Sequence, residues 1–402
     1  MNSTTRIQLS IMMFLQFFMW GAWYGQMSKY LMTTLGASGD QVGNAYAAFS
    51  LAMIISPFFV GMIADRYFAA QKVLGVLCLL GAGVLYLITQ NSDPNSFFML
   101  ILAYCLTFAP TLALTSSIAM QQMRSPENEF PGIRVLGTVA WIVVTNIVGY
   151  YGFGDNVMIY ELAMYTSVVL GLFSFFLPNT PPNPTAGASF AQILGLDAFK
   201  LFKDRSFAIF FLSSVLICIP LSFYYAMANP SLTDGGMQNV ENKMSLGQAS
   251  EVIFMLLIPL AYSRLGVKKM LIVGLVAWIL RFICFGYGTV STEWMLYIAI
   301  LLHGVCYDFF FVTGQIYTDN KAGDQIKSSA QGLITLATYG IGMGIGSKLS
   351  GIVLDMYTKD GVKDWTSVWM VPAAIAAIVL VLFVLLFTDK KALVATDQKV
   401  AV

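Results

Sequence analysis

The chain has 402 residues, 57% of them hydrophobic and only 11% charged, against roughly 25% charged in an ordinary soluble domain, so it reads as a membrane protein. A formal net charge of +1 gives no basic field to hold a nucleic-acid backbone and the acidic residues form no tail, which excludes nucleic acid as a partner. The five cysteines, Cys78, Cys105, Cys218, Cys284 and Cys306, lie in apolar stretches without a CxxC or a Cys/His cluster, and read as small core residues.

Apolar stretches of about 20 residues, the length that crosses ~30 Å of hydrocarbon, occur twelve times: 7–33, 42–64, 72–90, 97–120, 131–152, 158–177, 206–229, 244–263, 268–288, 294–317, 327–354 and 366–388. The first begins after Arg6, is too long for a signal-peptide core and lacks a small-residue cleavage site, so it is kept as a span. It mixes Gln16, Trp20, Trp23, Tyr24 and Gln26, which fits either an interfacial belt or the lining of a cavity. After the second span comes GMIADRYFAAQK, 61–72. Its Gly61, Asp65 and Arg66 match the G-x-x-x-D-R core of the gating loop of the major facilitator superfamily, and this turn resembles that loop in its first half. Ala69, Ala70 and Gln71 stand near the place of the usual basic residues. A shorter basic turn, YSRLGVKK at 262–269, follows the eighth span as a weak echo.

At the entrance of span five, PGIRVLGTVAW places Arg134, Thr138 and Trp141 at i, i+4 and i+7, one stripe of guanidinium, hydroxyl and ring. Such a stripe either faces a cavity or snorkels to the interface. Beyond span six lies the longest polar interruption, PNTPPNPTAGAS at 178–189, then Lys200, Lys203 and Arg205. It divides the chain into a six-helix half over 1–177, a central loop over 178–205, a second half over 206–388 and a tail over 389–402. The expected fold class is all-α integral membrane, twelve transmembrane helices in two six-helix halves. An even number of spans puts both termini on one side. Most of the 22 lysines and arginines fall there, whereas Lys29, Lys243, Lys359 and Lys363 fall opposite, so the positive-inside rule places both termini in the cytoplasm.

Intramembrane ionisable residues are functional hypotheses by default, because each is costly unless it faces a cavity or a partner. Besides Arg134 they are Glu251, Arg281, His303, Asp308 and Lys348. In span eight, Gln248 and Glu251 are three apart and share a face. A carboxyl withdrawn from water favours its protonated form, making Glu251 a candidate proton carrier, with a structural pair to Arg281 as the alternative. In span ten, His303 and Tyr307 point one way and Asp308 is turned from Tyr307 by about 100°. His303 is the only histidine, which leaves no multi-histidine metal site; it either packs or bonds substrate. Asp308 either carries a proton or pairs with Arg281 or Arg134. The glycines of YGIGMGIGSKLSG, 339–351, serve packing or bending and do not make a phosphate loop.

No H-E-x-x-H, G-x-S-x-G or paired-cysteine constellation is present, so an enzyme is not expected, and neither is a cofactor or a metal. Two halves without an ATP-binding motif point to a secondary transporter driven by an ion gradient. Protons are preferred to sodium because Glu251, Asp308 and His303 are titratable. Its expected surroundings are the lipid bilayer, its partners a small solute and a proton, and no obligate protein partner is evident. Rings at Trp141, Tyr225 and Tyr307 with amide, hydroxyl and carboxyl groups suit a flat, uncharged, hydroxyl-bearing cargo; a sugar or other small polar solute is the alternative.

The stretches FLQFFMWGAW, FPGIRVLGT, ILGLDAFKLFK (193–203), AWILRF, YDFFFVTG and SAQG (329–332) carry a family resemblance over almost the whole chain. It is similar to the nucleoside:proton symporters of the major facilitator superfamily. The resemblance implies import of a nucleoside bound between the halves together with a proton, across a bacterial-type inner membrane. It implies substrate binding at Arg134, Thr138, Trp141, Gln248 and Glu251. Ser222 and Tyr225 stand where close relatives have amides, and His303, followed by Tyr307 and Asp308, stands at an aromatic position. Proton coupling then falls to Glu251 and Asp308.

Overall fold

The computed structural model describes residues 2–124, 126–182 and 196–388, with the backbone alone at 56–66, 126–128, 196, 324, 325, 327 and 328. Among these residues the α-helices are α1 (Ser3–Trp23), α2 (Met27–Thr33), α3 (Gly39–Arg66), α4 (Ala70–Thr89), α5 (Pro94–Gln121), α6 (Pro126–Tyr151) and α7 (Met158–Ser174). They continue as α8 (Arg205–Asp234), α9 (Val240–Tyr287), α10 (Glu293–Tyr307), α11 (Thr313–Thr335), α12 (Met343–Met356) and α13 (Trp365–Leu386). The only strands among the described residues form a two-residue hairpin, Thr358–Lys359 with Val362–Lys363, between α12 and α13.

These helices assemble into twelve rods. The sequence divides them at glycines and caps. Gly266 (φ 68°, ψ 174°) turns α9 into two rods and Gly323 (φ 65°, ψ 175°) does the same to α11, a backbone region that is essentially glycine-only. Asp93 caps α5 by accepting from the backbone N–H groups of Asn95 and Ser96, just ahead of Pro94 at the first helical position, where its missing N–H costs nothing. Asp204 caps α8 in the same way from Ser206 and Phe207.

Two departures from regular helix lie where periodicity gave no warning. Rod one is broken between α1 and α2 around Gly25. Asp308–Val312 and Leu336–Gly342 are π-helical turns that continue α10 into α11 and α11 into α12. One extra residue per turn leaves no trace in hydropathy, so these segments read as plain helix in the sequence.

By length and hydropathy alone, seven helices among the described residues qualify as membrane spans, with Val240–Tyr287 among them as a single 48-residue run. The outer surface is apolar, with Leu256, Phe176 and Leu385 between 72% and 77% exposed, which hydrocarbon satisfies and water does not. Rods one to six form one half and rods seven to twelve the other. The halves meet along α3 against α12, α6 against α9 and α2 against α8. The 3-10 helix Leu196–Lys203 lies against the second half, where Ala198 packs on Ala330 and Leu333.

Candidate functional site

A small cavity lies between the halves, where ligand sites between packed helices are expected. The first half lines it with Phe17 and Trp20 of α1 and with Arg134, Gly137, Thr138 and Trp141 of α6. The second half contributes Tyr225 of α8, Gln248 and Glu251 of α9, His303 and Tyr307 of α10, and Tyr339 from the π turn before α12.

The α6 stripe faces inward as its spacing requires. Arg134 lies over the ring of Phe17, 4.1 Å from its centroid, a cation–π contact that offsets burial of the charge without a carboxylate. Trp141 meets Trp20 edge-on at 5.2 Å. From the other half, Tyr225 contacts Tyr24 at 5.2 Å, and the Tyr307 and Tyr339 hydroxyls are 2.6 Å apart. The cavity thus has aromatic walls with an amide, a hydroxyl, a guanidinium and a carboxyl set into them, groups able to stack on a flat ring and bond its polar edge.

Glu251 is held where α9 and α10 touch. The Ser250 hydroxyl accepts from the Gly304 N–H (3.0 Å) and donates to the Gly247 carbonyl (2.7 Å). A Cβ on Gly304 would sit 2.6 Å from the Ser250 carbonyl, so only glycine permits this approach. It brings His303 Nε2 to 3.6 Å from Glu251 Oε2. Behind the ring, Arg281 reaches His303 Nδ1 at 3.0 Å, donates from Nε to the Ala299 carbonyl at 2.8 Å, and stacks 3.7 Å over the Tyr224 ring. The expected alternative of a direct Glu251–Arg281 pair is therefore replaced by one that passes through His303.

Three expectations need correction. Ser222 is buried outside the cavity, its hydroxyl shared between the Cys218 and Met343 carbonyls at 3.0 Å each. It fills the space left by Gly346 of α12, whose added Cβ would lie 2.8 Å from the Ser222 oxygen. Asp308 is fully buried beside the cavity, and neither of its carboxyl oxygens has a hydrogen-bond partner among the described residues. Arg281 and Arg134 are engaged elsewhere, so the anticipated ion pair is not formed there. Lys348 is not deep in the bundle: it pairs with Asp40 and bonds Asn44 (3.0 Å) at one end. The side chains of Gly61, Asp65 and Arg66 lie outside the described residues. Tyr339, Phe17 and Gly137 were not singled out from the sequence. Tyr339 follows Thr338 in a glycine-rich run and reads as one ring among many, and Trp20, readable as belt or cavity lining, lines the cavity.

A second, smaller chamber adjoins the first, sharing Trp141, Tyr225 and Gln248 and bounded by Gln26, Thr145, Asn229 and Glu241. Above it, at the end opposite the termini, the halves are tied together. Lys29 pairs with Glu241 (2.9 Å), which also accepts from Asn229 (3.2 Å). Asn146 donates to Ser245 (3.0 Å) and accepts from Asn242 (2.9 Å). Asp355 accepts from the Gly39 and Asp40 N–H groups, each at 2.7 Å.

Comparison with known proteins decides the family, because the family model described as nucleoside H+ symporter matches residues 1–392. The chain belongs to the nucleoside H+ symporter family. Within it, the putative nucleoside transporter YegT of Escherichia coli (strain K12) is 41% identical, covering 96% of this chain and 94% of the relative. The xanthosine permease of the same strain is 35% identical over 94% of each. The crystal structure of the nucleoside transporter NupG superposes with a TM-score of 0.87 at 32% identity, covering 97% of this chain and all of that one. The nucleoside H+ symporter fold is thus a multi-pass membrane transporter fold, and this chain has it from end to end.

Proposed function

We propose that this protein imports nucleosides with protons across a bacterial-type inner membrane, by alternating access of the halves 1–177 and 206–388 to the cavity between them. The observation that carries this reading is one cavity, built by both halves, holding a carboxyl, an amide, a guanidinium and opposed aromatic rings. Trp141 and Tyr307 clasp the base. Arg134, Thr138, Tyr225, Gln248 and His303 bond the ribose and the base edge. Glu251, open to the cavity, and Asp308, beside it without a hydrogen-bond partner among the described residues, hold the coupling proton. With the termini in the cytoplasm, the Lys29–Glu241 end faces outward, and the described conformation is closed to that side. The end of α3 that carries Gly61, Asp65 and Arg66 then belongs to the inner gate.

The test is uptake into proteoliposomes under an inward proton gradient, with labelled uridine, adenosine, xanthosine and a disaccharide. Nucleosides accumulate and an uncoupler abolishes the accumulation. Competition by the disaccharide but not by nucleosides would replace the cargo with a sugar. Glu251→Gln loses gradient-driven accumulation while retaining counterflow exchange; accumulation at the parental level in that variant would remove Glu251 from the coupling.

A further inference from the structure

Arg281 is fully buried in the second half, and no carboxylate neutralises it among the described residues. Its bonding is nevertheless specific: Nε is spent on the Ala299 carbonyl, the guanidinium plane lies on Tyr224, and Nη1 meets His303 Nδ1. A guanidinium is always protonated and can only donate. The facing Nδ1 must therefore offer a lone pair, which is possible only if the imidazole is neutral and carries its hydrogen on Nε2. That Nε2 is the atom 3.6 Å from Glu251 Oε2. The distance is too long for a closed hydrogen bond, yet it directs a donor at one carboxyl oxygen and leaves the other to the cavity.

We propose that Arg281 is a positioning residue for the coupling carboxylate: it locks His303 in the Nε2–H tautomer, so that the ring always presents a donor, never an acceptor, to Glu251. His303 is then a fixed intermediary rather than a proton carrier. The inference rests on the reading of Glu251 as the coupling group, but its structural content can be tested apart from transport.

His303 is the only histidine in the chain, so protein labelled with 15N-histidine gives the imidazole signals of one residue. In the lipid-reconstituted wild type these signals report a single neutral ring with hydrogen on Nε2 and a bare Nδ1. In Arg281→Met the lock is gone and both tautomers are populated; Arg281→Lys, which keeps a donor, retains more of the Nε2–H form. An Nδ1–H or doubly protonated ring in the wild type under transport conditions overturns the proposal, as does an unchanged single tautomer in Arg281→Met. If Arg281→Met does not fold, the wild-type spectrum and Arg281→Lys still decide.

The transport readout is the pH profile of gradient-driven uptake. Loss of the donor makes ionised Glu251 less favourable, so Arg281→Met and His303→Phe both move the alkaline limb of uptake to higher pH, and the double variant moves it no further. Shifts that add in the double variant, or a uniform fall with no change in profile, assign Arg281 to packing alone. Arg134, Tyr225, Tyr307 and Tyr339 around this cavity, and Asp308, Tyr224 and Cys306 beside it, are the other charged or titratable groups and are the same in all these variants. Failure of Glu251→Gln to lose accumulation would strike the coupling reading and leave the tautomer result standing.

Discussion

Trp141 shows how much one side chain is asked to do. It ends the α6 stripe, meets Trp20 across the cavity wall and borders both chambers. Stacking of a base on an aromatic ring is worth about 1–3 kcal/mol by alanine substitution, so Trp141→Ala raises the KM for uridine on the order of tenfold, with Trp141→Phe recovering most of it. An unchanged KM in concentration-dependent uptake removes the ring from the substrate. The stripe was legible because Arg134, Thr138 and Trp141 recur at helical spacing in an otherwise apolar run. Ser222 was not placed correctly because its position came from likeness to relatives, and what holds it out of the cavity is its bond to the Met343 carbonyl in the space beside Gly346, on a helix more than 100 residues along the chain. Tyr339 gave no signal at all, being one ring among many until a π turn carries it to the Tyr307 hydroxyl.

At the level of elements, hydropathy located the rods while turn chemistry joined them. Gly266 lies at a φ and ψ that side chains scarcely adopt, so Gly266→Ala costs roughly 1–3 kcal/mol, visible as a lower midpoint of thermal unfolding in detergent; an unaltered midpoint would mean the turn relaxes freely. Asp204 joins a cap to an ion pair, accepting from two α8 N–H groups and from Lys321. Partial burial alone would raise its pKa, but the Lys321 hydrogen bond and the backbone donors hold the carboxyl below the ordinary value. Its contribution is therefore complete above the usual carboxylate range and disappears as pH falls through the lowered value. Asp204→Ala lowers stability by about 1 kcal/mol at neutral pH, and the difference from wild type vanishes in acid. A deficit that persists in acid would trace to something other than the ionised cap.

Over the whole molecule, Lys29 and Glu241 are a mostly buried pair that joins the halves, with side chains 15% and 6% exposed. Removing one partner strands the other charge, a penalty of about 3–5 kcal/mol in comparable cases, and the closed end bears it. Lys29→Met thus speeds labelling of Thr145→Cys, in the chamber below, by a membrane-impermeant maleimide, and Lys29→Met with Glu241→Gln restores slow labelling. Equal rates in all three backgrounds would place the closure elsewhere. The sequence exposed the division into halves through its proline-rich centre, but not which ends touch, since that depends on pairs 96 to 316 residues apart. Arg281 has a consequence of another kind. A lone arginine at mid-span costs about 3 kcal/mol on the scale of translocon insertion, and its partners, Ala299 and His303, belong to the following rod. The rod of Arg281 and the rod of His303 must therefore leave the translocon for lipid as a pair, because a nascent chain ending before Glu293 has aromatic rings such as Tyr224 over that guanidinium but neither of its hydrogen-bond acceptors, Ala299 and His303.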